Sequence, residues 1–221
     1  MSRLVVVTGT STDVGKTIAT AAVVAAAEGT VVAIKPVQSG ANDDGVGDAE
    51  TVRRLTGCDV REFVTLDEPL APDMAARIQG VTIPTVSDHV APILALCDQY
   101  DTVVVEGAGG VLVRLDSEGG TILDLASLLS AVADVEVIIV CSAGLGTLNH
   151  TELTAGAVRA RGLEPAGLIV GSWPTEPGLA ERLNIDELPK VSNLPLLATL
   201  PAGAGRLTTD QFVAAAPGWF A

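Results

Sequence analysis

The chain has 221 residues, 48% of them hydrophobic and 18% charged, and its 13 Lys and Arg against 27 Asp and Glu give a formal net charge of −14. That composition suits one large domain with a substantial core and offers no general electrostatic footprint for nucleic acid or an anionic membrane, so an anionic ligand must be held by a few placed cations and backbone N–H groups. Cys58, Cys97 and Cys141 form no Cys-x-x-Cys pair, the N-terminus lacks the apolar region of a signal peptide, and no apolar stretch approaches the roughly 18 residues of a membrane span; together these predict a soluble, cytoplasmic protein.

Along the chain, the run LVVV (4–7) reads as a strand, followed by GTSTDVGKT (9–17) and an Ala-rich helical stretch over 15–28. Strand, glycine-rich turn, Gly-Lys-Thr and helix make a phosphate-binding loop. The N–H groups of Asp13, Val14 and Gly15 would wrap phosphate oxygens at the positive end of the helix. Lys16 would bridge phosphates and Thr17 would offer its hydroxyl to magnesium. Gly9 and Gly15 enclose five residues, one more than the usual spacing. The ligand these features predict is a nucleoside triphosphate with Mg2+.

Next comes TVVAIK (30–35), a strand with Lys35 at its carboxyl end and Ser39 just beyond. Lys35 there either faces the phosphates, where its charge would stabilise a transition state, or closes a surface edge. Segment 40–50 reads as a Gly- and Asp-rich loop and 47–57 as a helix opened by Asp48, a residue equally suited to capping that helix and to holding a metal. Segment 68–76 reads as an irregular connection and 86–99 as a helix. The strand DTVVVE (101–106) ends in Glu106 before flexible glycines, the position of a second magnesium ligand in this architecture or, failing that, of a cap or surface acid. Helix 121–133, strand 136–141, helix 147–161 with Asn149 as start signal and Gly162 as stop, strand 167–172, helix 176–186 and strand 194–200 complete the pattern. Strands alternating with helices predict an α/β fold, a doubly wound, mostly parallel sheet with helices on both faces, and no composition break divides residues 1–221 into more than one domain.

GTSTDVGKT, KPVQSG, VEGAGG and LGTLNHTELT occur in this order, and together they resemble the dethiobiotin synthetase family over residues 4 to about 200. The resemblance implies a P-loop NTPase fold and a homodimeric, cytoplasmic ligase of biotin biosynthesis. ATP or another nucleoside triphosphate is its co-substrate with Mg2+, and 7,8-diaminononanoate and CO2 or bicarbonate are its substrates. Carried over motif by motif, Thr17, Asp48 and Glu106 would ligate magnesium with Asp13 close by, and Lys16 and Lys35 would be the catalytic cations. Thr12, Lys35, Ser39 and Gly107 would place the diamine and carbamate. Leu145, Gly146, Leu148 and Asn149 open a helix whose free N–H groups would take the substrate's tail carboxylate across the dimer interface. His150 is expected to serve in interface packing or a hydrogen bond, and His89 is given no role.

Two departures stand out. Gly171 and Ser172 occupy the stretch where many relatives carry an asparagine that reads the base, which weakens the expectation of ATP over other triphosphates. The loop LPAGAG, with Pro201, Ala202 and Gly203, is a candidate for packing on the base or a plain connection. Asp73 stands where a histidine is frequent. The competing readings are a partition-type ATPase switch and a related amide-forming ligase. Against the first, Thr10 and Ser11 stand where such switches carry an extra lysine; against the second, 221 residues leave no room for a glutaminase domain.

Overall fold

The computed structural model describes residues 2–40 and 46–221. Residues 41–45 of the Gly- and Asp-rich loop lie outside that set. The strands are β1 (Arg3–Gly9), β2 (Val31–Ser39), β3 (Asp59–Leu66), β4 (Thr102–Glu106), β5 (Val135–Cys141), β6 (Pro165–Trp173) and β7 (Leu196–Pro201). They form one seven-stranded sheet in the order β3-β2-β4-β1-β5-β6-β7, with every neighbouring pair parallel. The helices are α1 (Lys16–Ala26), α2 (Asp48–Thr56), α3 (Pro72–Gln79), α4 (Val90–Cys97), α5 (Ile122–Ser130), α6 (Thr147–Arg159), α7 (Leu179–Ser192) and α8 (Thr209–Ala215).

The period-two alternation of β1 explains the layers. Leu4 and Val6 enter a core shared with Ile93 of α4, Leu125 of α5, Val158 of α6 and Leu188 of α7. Val5 and Val7 enter a second core with Ala19 and Ala22 of α1, Leu55 of α2 and Phe212 of α8. Both faces of the sheet are thus covered, which is why the parallel strands read as unbroken apolar runs. The expected doubly wound α/β architecture is present. From the central β1 the chain goes first towards β2 and β3, returns through β4, and continues from β5 to β7 on the other side. A crevice therefore opens at the carboxyl ends of the strands flanking β1.

Several local expectations are corrected. β3 was not anticipated, because Asp59, Arg61 and Glu62 break its apolar run; it is an edge strand, paired only with β2. α3 occupies most of the stretch read as irregular: Pro72 stands in its first turn, where a missing N–H costs nothing, and Gly80 closes it at φ 67°. α8 was missed as well. Segment 86–99 divides into a 3₁₀ turn, Val86–His89, and α4. α7 starts later and runs further than 176–186, with Pro189 inside it. β2 continues through Lys35 to Ser39, so Lys35 lies in mid-strand and not at the strand's end. α6 begins two residues before Asn149, with Gly146 as its cap.

Candidate functional site

β1 delivers the chain into the turn at Gly9, and the turn is completed by two left-handed residues, Asp13 (φ 58°) and Gly15 (φ 94°). Gly15 is the cap of α1 and supplies no side-chain hydrogen bond, so the first-turn amides are left to the loop's interior. The end of β6 forms the floor of this loop. A Cβ on Gly171 would lie 2.0 Å from the Val14 carbonyl oxygen, and one on Gly15 would lie 2.6 Å from the Gly171 carbonyl oxygen. Any side chain at position 171 would lift the turn. Gly171 thus contributes a bed for the phosphate loop, with Val14 buried above it.

The side chains of the turn and of three strands converge here. Lys16, 7% exposed, donates from Nζ to the Ser11 carbonyl at 2.9 Å, and burial holds its pKa below the ordinary lysine value. Thr17 Oγ1 donates to Glu106 Oε1 at 3.0 Å. Glu106 ends β4, and the register that sets Ile34 beside Val105 brings Lys35 of β2 alongside it. Lys35 Nζ reaches Glu106 Oε1 at 3.0 Å, Asp48 Oδ2 at 2.6 Å and the Gly107 carbonyl at 2.8 Å, which accounts for all three ammonium protons. Burial lowers the Lys35 pKa, but Glu106 and Asp48 outweigh it and the net shift is upward, so the group stays charged. Glu106 is pushed up by burial, which its contact with Lys35 only partly offsets. For Asp48 burial also acts upward, but Lys35 prevails and holds the carboxyl low.

Asp48 does not cap α2 with its side chain; it is the first residue of the helix, and its carboxylate turns to Lys35. The capping task falls to Gln38, a residue that sequence reasoning passed over. Its Oε1 accepts from the Asp48 amide at 3.0 Å, and its Nε2 donates to Gly40 at 2.8 Å and Ser39 at 3.3 Å. Gln38 is buried and sits in β2 within the KPVQSG stretch. The signal was an amide at an inward strand position, uninformative until its partner was known.

A cleft of about 340 Å³ follows, lined among others by Thr12, Asp13, Gly15, Lys16, Thr17, Lys35, Gln38, Ser39 and Asp48. Gly107 stands at its edge with both backbone polar groups already engaged, its N–H with Val7 and its carbonyl with Lys35. Exposed Ser172 and the 201–203 loop do not line the cleft; the Ala202 N–H bonds the Trp173 carbonyl at 2.7 Å, which fastens that loop to the end of β6. Leu145, Gly146, Leu148 and Asn149 lie away from it, at the head of α6. His150 is exposed, and His89 is buried against Phe63 with ring centroids 5.5 Å apart. Asp73 pairs with Arg77 one turn along α3 at 3.6 Å.

The arrangement is one in which cations and open amides surround a space sized for phosphate groups, with two carboxylates and a hydroxyl at its base. A family profile described as an AAA domain matches residues 3–205. The chain is 53% identical to the ATP-dependent dethiobiotin synthetase BioD of Rhodococcus jostii (strain RHA1), over 98% of this chain and 94% of that one. It is 52% identical to the protein of the same name from Streptomyces coelicolor, over 99% and 92%. The chain belongs to the dethiobiotin synthetase family. Among solved structures, the septum site-determining protein MinD of Pyrococcus horikoshii is similar at a TM-score of 0.57 and 20% identity, covering 91% of this chain and 82% of that chain. A ParA family ATPase from Chlorobium tepidum is similar at 0.57 and 12%, covering 96% and 92%. At such identities these two report the fold alone, the fold expected for this family.

Proposed function

We propose that the cleft is the active site of an ATP-dependent dethiobiotin synthetase, a ligase that closes the ureido ring of dethiobiotin from 7,8-diaminononanoate and CO2 in a single P-loop domain. The observation that carries this reading is the convergence of Lys16, Thr17, Lys35 and Asp48 in one cleft, with the buried Glu106 bonded to Thr17 and Lys35, in a chain half identical to proteins of that name.

In the reaction, one amine of the diamine adds to CO2 and gives a carbamate. A carbamate oxygen attacks the γ-phosphorus and expels the nucleoside diphosphate. The second amine then attacks the carbonyl of the mixed anhydride and expels phosphate as the ring closes. Carbamate and triphosphate are both anions, so the protein's work is to hold them together against their repulsion. Lys16 serves the phosphates, exchanging the Ser11 carbonyl for a phosphate oxygen, and the amides of Asp13, Val14 and Gly15 cradle them. Lys35, held in mid-strand by Glu106, Asp48 and Gly107, supplies positive charge where carbamate and γ-phosphoryl meet. Thr12 and Ser39, both lining the cleft, orient the diamine.

Thr17, Asp48 and Glu106 fit a magnesium ion. They form an all-oxygen set of one hydroxyl and two carboxylates: Thr17 bonds Glu106 directly, and Lys35 bridges Glu106 and Asp48. Magnesium prefers one or two carboxylates with phosphate and water making up the rest, and among the described residues no larger acidic or histidine cluster competes for it. Bound with the triphosphate, the ion would neutralise phosphate charge and orient the γ-phosphoryl group.

The same reading makes the enzyme a homodimer with a site completed across the interface. Leu145 is 93% exposed at the head of α6, and Leu153, Leu179 and Leu183 extend an apolar surface over α6 and α7, which a second copy would cover. Gly171, Ser172 and the 201–203 loop would receive the base. Because the bed at Gly171 admits no side chain, no side-chain amide can read the base from that position. Three free cysteines, and no described helix long and apolar enough to cross a membrane, suit the cytoplasm.

The test is phosphate release with magnesium, bicarbonate and each of ATP, CTP and GTP, with and without 7,8-diaminononanoate. Diamine-dependent release with dethiobiotin as product is expected, and the three nucleotides rank the base site. Release indifferent to the diamine would replace this reading with a nucleotide switch.

A further inference from the structure

The turn between β5 and α6 is held by side chains from below. Asn184, on the inner face of α7 and 8% exposed, donates from Nδ2 to the carbonyls of Ala143 at 2.9 Å and Gly144 at 3.0 Å. Thr147, buried in the first turn of α6, donates its Oγ1 to the Ser142 carbonyl at 2.6 Å. Three consecutive carbonyls are thereby drawn into the protein. The chain then reverses at Gly146, whose φ of 93° only glycine adopts without strain, and α6 begins with no side-chain cap. Among the described residues the amides of Leu145, Gly146, Leu148 and Asn149 have no backbone partner.

A buried primary amide in a helix that otherwise packs with Leu188 and Ile185 is costly unless its donors are met. Asn184 meets that requirement with two successive carbonyls of a segment 41 and 40 residues away in sequence. A single nitrogen with two protons suits this bridging; an aliphatic side chain or a carboxylate at 184 would strip the donor from the Ala143 carbonyl and leave the Gly144 carbonyl only the 3.3 Å bond from the Thr147 amide. Resting on the reading above, in which the open amides at the head of α6 take the tail carboxylate of the diamino acid bound mainly by the partner subunit, we propose that Asn184 is a positioning residue for substrate. It fixes the 143–146 turn so that those amides keep the orientation the carboxylate requires. Thr147 is the second anchor of the same turn. Neither side chain touches substrate; both act through the backbone they hold.

The test compares KM for 7,8-diaminononanoate, for its methyl ester and for the triphosphate in the wild type, Asn184→Ala, Thr147→Val and Thr147→Ser. Asn184→Ala is expected to raise KM for the acid about tenfold, the equivalent of one misaligned charge-assisted hydrogen bond. KM for the ester, KM for the triphosphate and kcat at saturating acid should stay within about twofold, since only the carboxylate end is displaced. Thr147→Val should move the same parameter in the same direction, and Thr147→Ser, which keeps the hydroxyl, should behave as wild type. An unchanged KM for the acid in Asn184→Ala, or an equal rise for acid, ester and nucleotide, overturns the positioning role. If Asn184→Ala does not fold, the Thr147 pair decides on the same readout. A wild type that treats acid and ester alike would instead overturn the reading of the α6 amides as the carboxylate site, and the proposal with it.

Discussion

Replacement of Lys35 by methionine tests the charge cluster at the base of the cleft. Methionine matches the unbranched stem but removes the ammonium that Glu106 and Asp48 share. The two carboxylates left behind differ. Asp48 has a side-chain exposure of 36% and can turn to water, whereas Glu106, at 3%, cannot. Removing one partner of a buried pair costs about 3–5 kcal/mol, nearly all of it here from Glu106, because solvent screens Asp48. A chain of this size loses roughly 2–4 °C per kcal/mol, so the unfolding midpoint should fall by about 6–20 °C. Glu106→Gln added to Lys35→Met removes the stranded charge while keeping an oxygen that accepts from Thr17 Oγ1. The double variant should therefore be more stable than Lys35→Met alone, although Glu106→Gln by itself destabilises the wild type. Thermal unfolding of the four proteins at one pH and salt, without nucleotide or magnesium, reads this directly. A loss below about 1 kcal/mol in Lys35→Met, or simple additivity of the two changes, would refute the argument that Lys35 neutralises a buried carboxylate.

Other consequences can be measured independently. Lys16→Ala should lower phosphate release by on the order of 10³-fold, because the transferring phosphoryl loses its nearest charge; near-normal release would remove Lys16 from the mechanism. Glu106→Gln should raise the magnesium concentration for half-maximal activity by about tenfold and lower kcat, and an unaltered magnesium titration would take Glu106 out of the metal set. His89 gives a pH effect. Burial against Phe63 lowers its pKa from the ordinary value, and Asp88 and Asp116 oppose this without reversing it. The unfolded chain takes up the proton near pH 6.5 and the folded chain does not, so this contribution is complete above about pH 6.5 and is lost as pH falls towards the folded value, with a slope of up to ~1.4 kcal/mol per unit. Urea midpoints at pH 5.5 and 7.5 should show a smaller acid loss for His89→Phe than for wild type; equal losses would show that another group is responsible.

The sequence by itself determined the sheet class and the phosphate loop. A buried parallel strand must be apolar on both faces, so LVVV, VVAI, VVV and VIIV announce themselves, and a turn ending in Gly-Lys-Thr before an Ala-rich helix has few other uses. Charged residues at the ends of such runs, Glu106 above all, were legible for the same reason. What the sequence did not carry was anything set by a partner distant along the chain. β3 depends on a single neighbour and can therefore be polar, so it has no apolar signature. Lys35 occupies mid-strand because β2 continues to Ser39, and only the register with β4 supplies the carboxylate that makes its burial tolerable. Gln38 capping α2, Gly171 bedding the phosphate loop and Asn184 tethering the turn before α6 are polar or small residues of no fixed meaning in one dimension. Their roles come from hydrogen bonds and close approaches across 10 or more residues, and those contacts exist only once the sheet has brought the segments together.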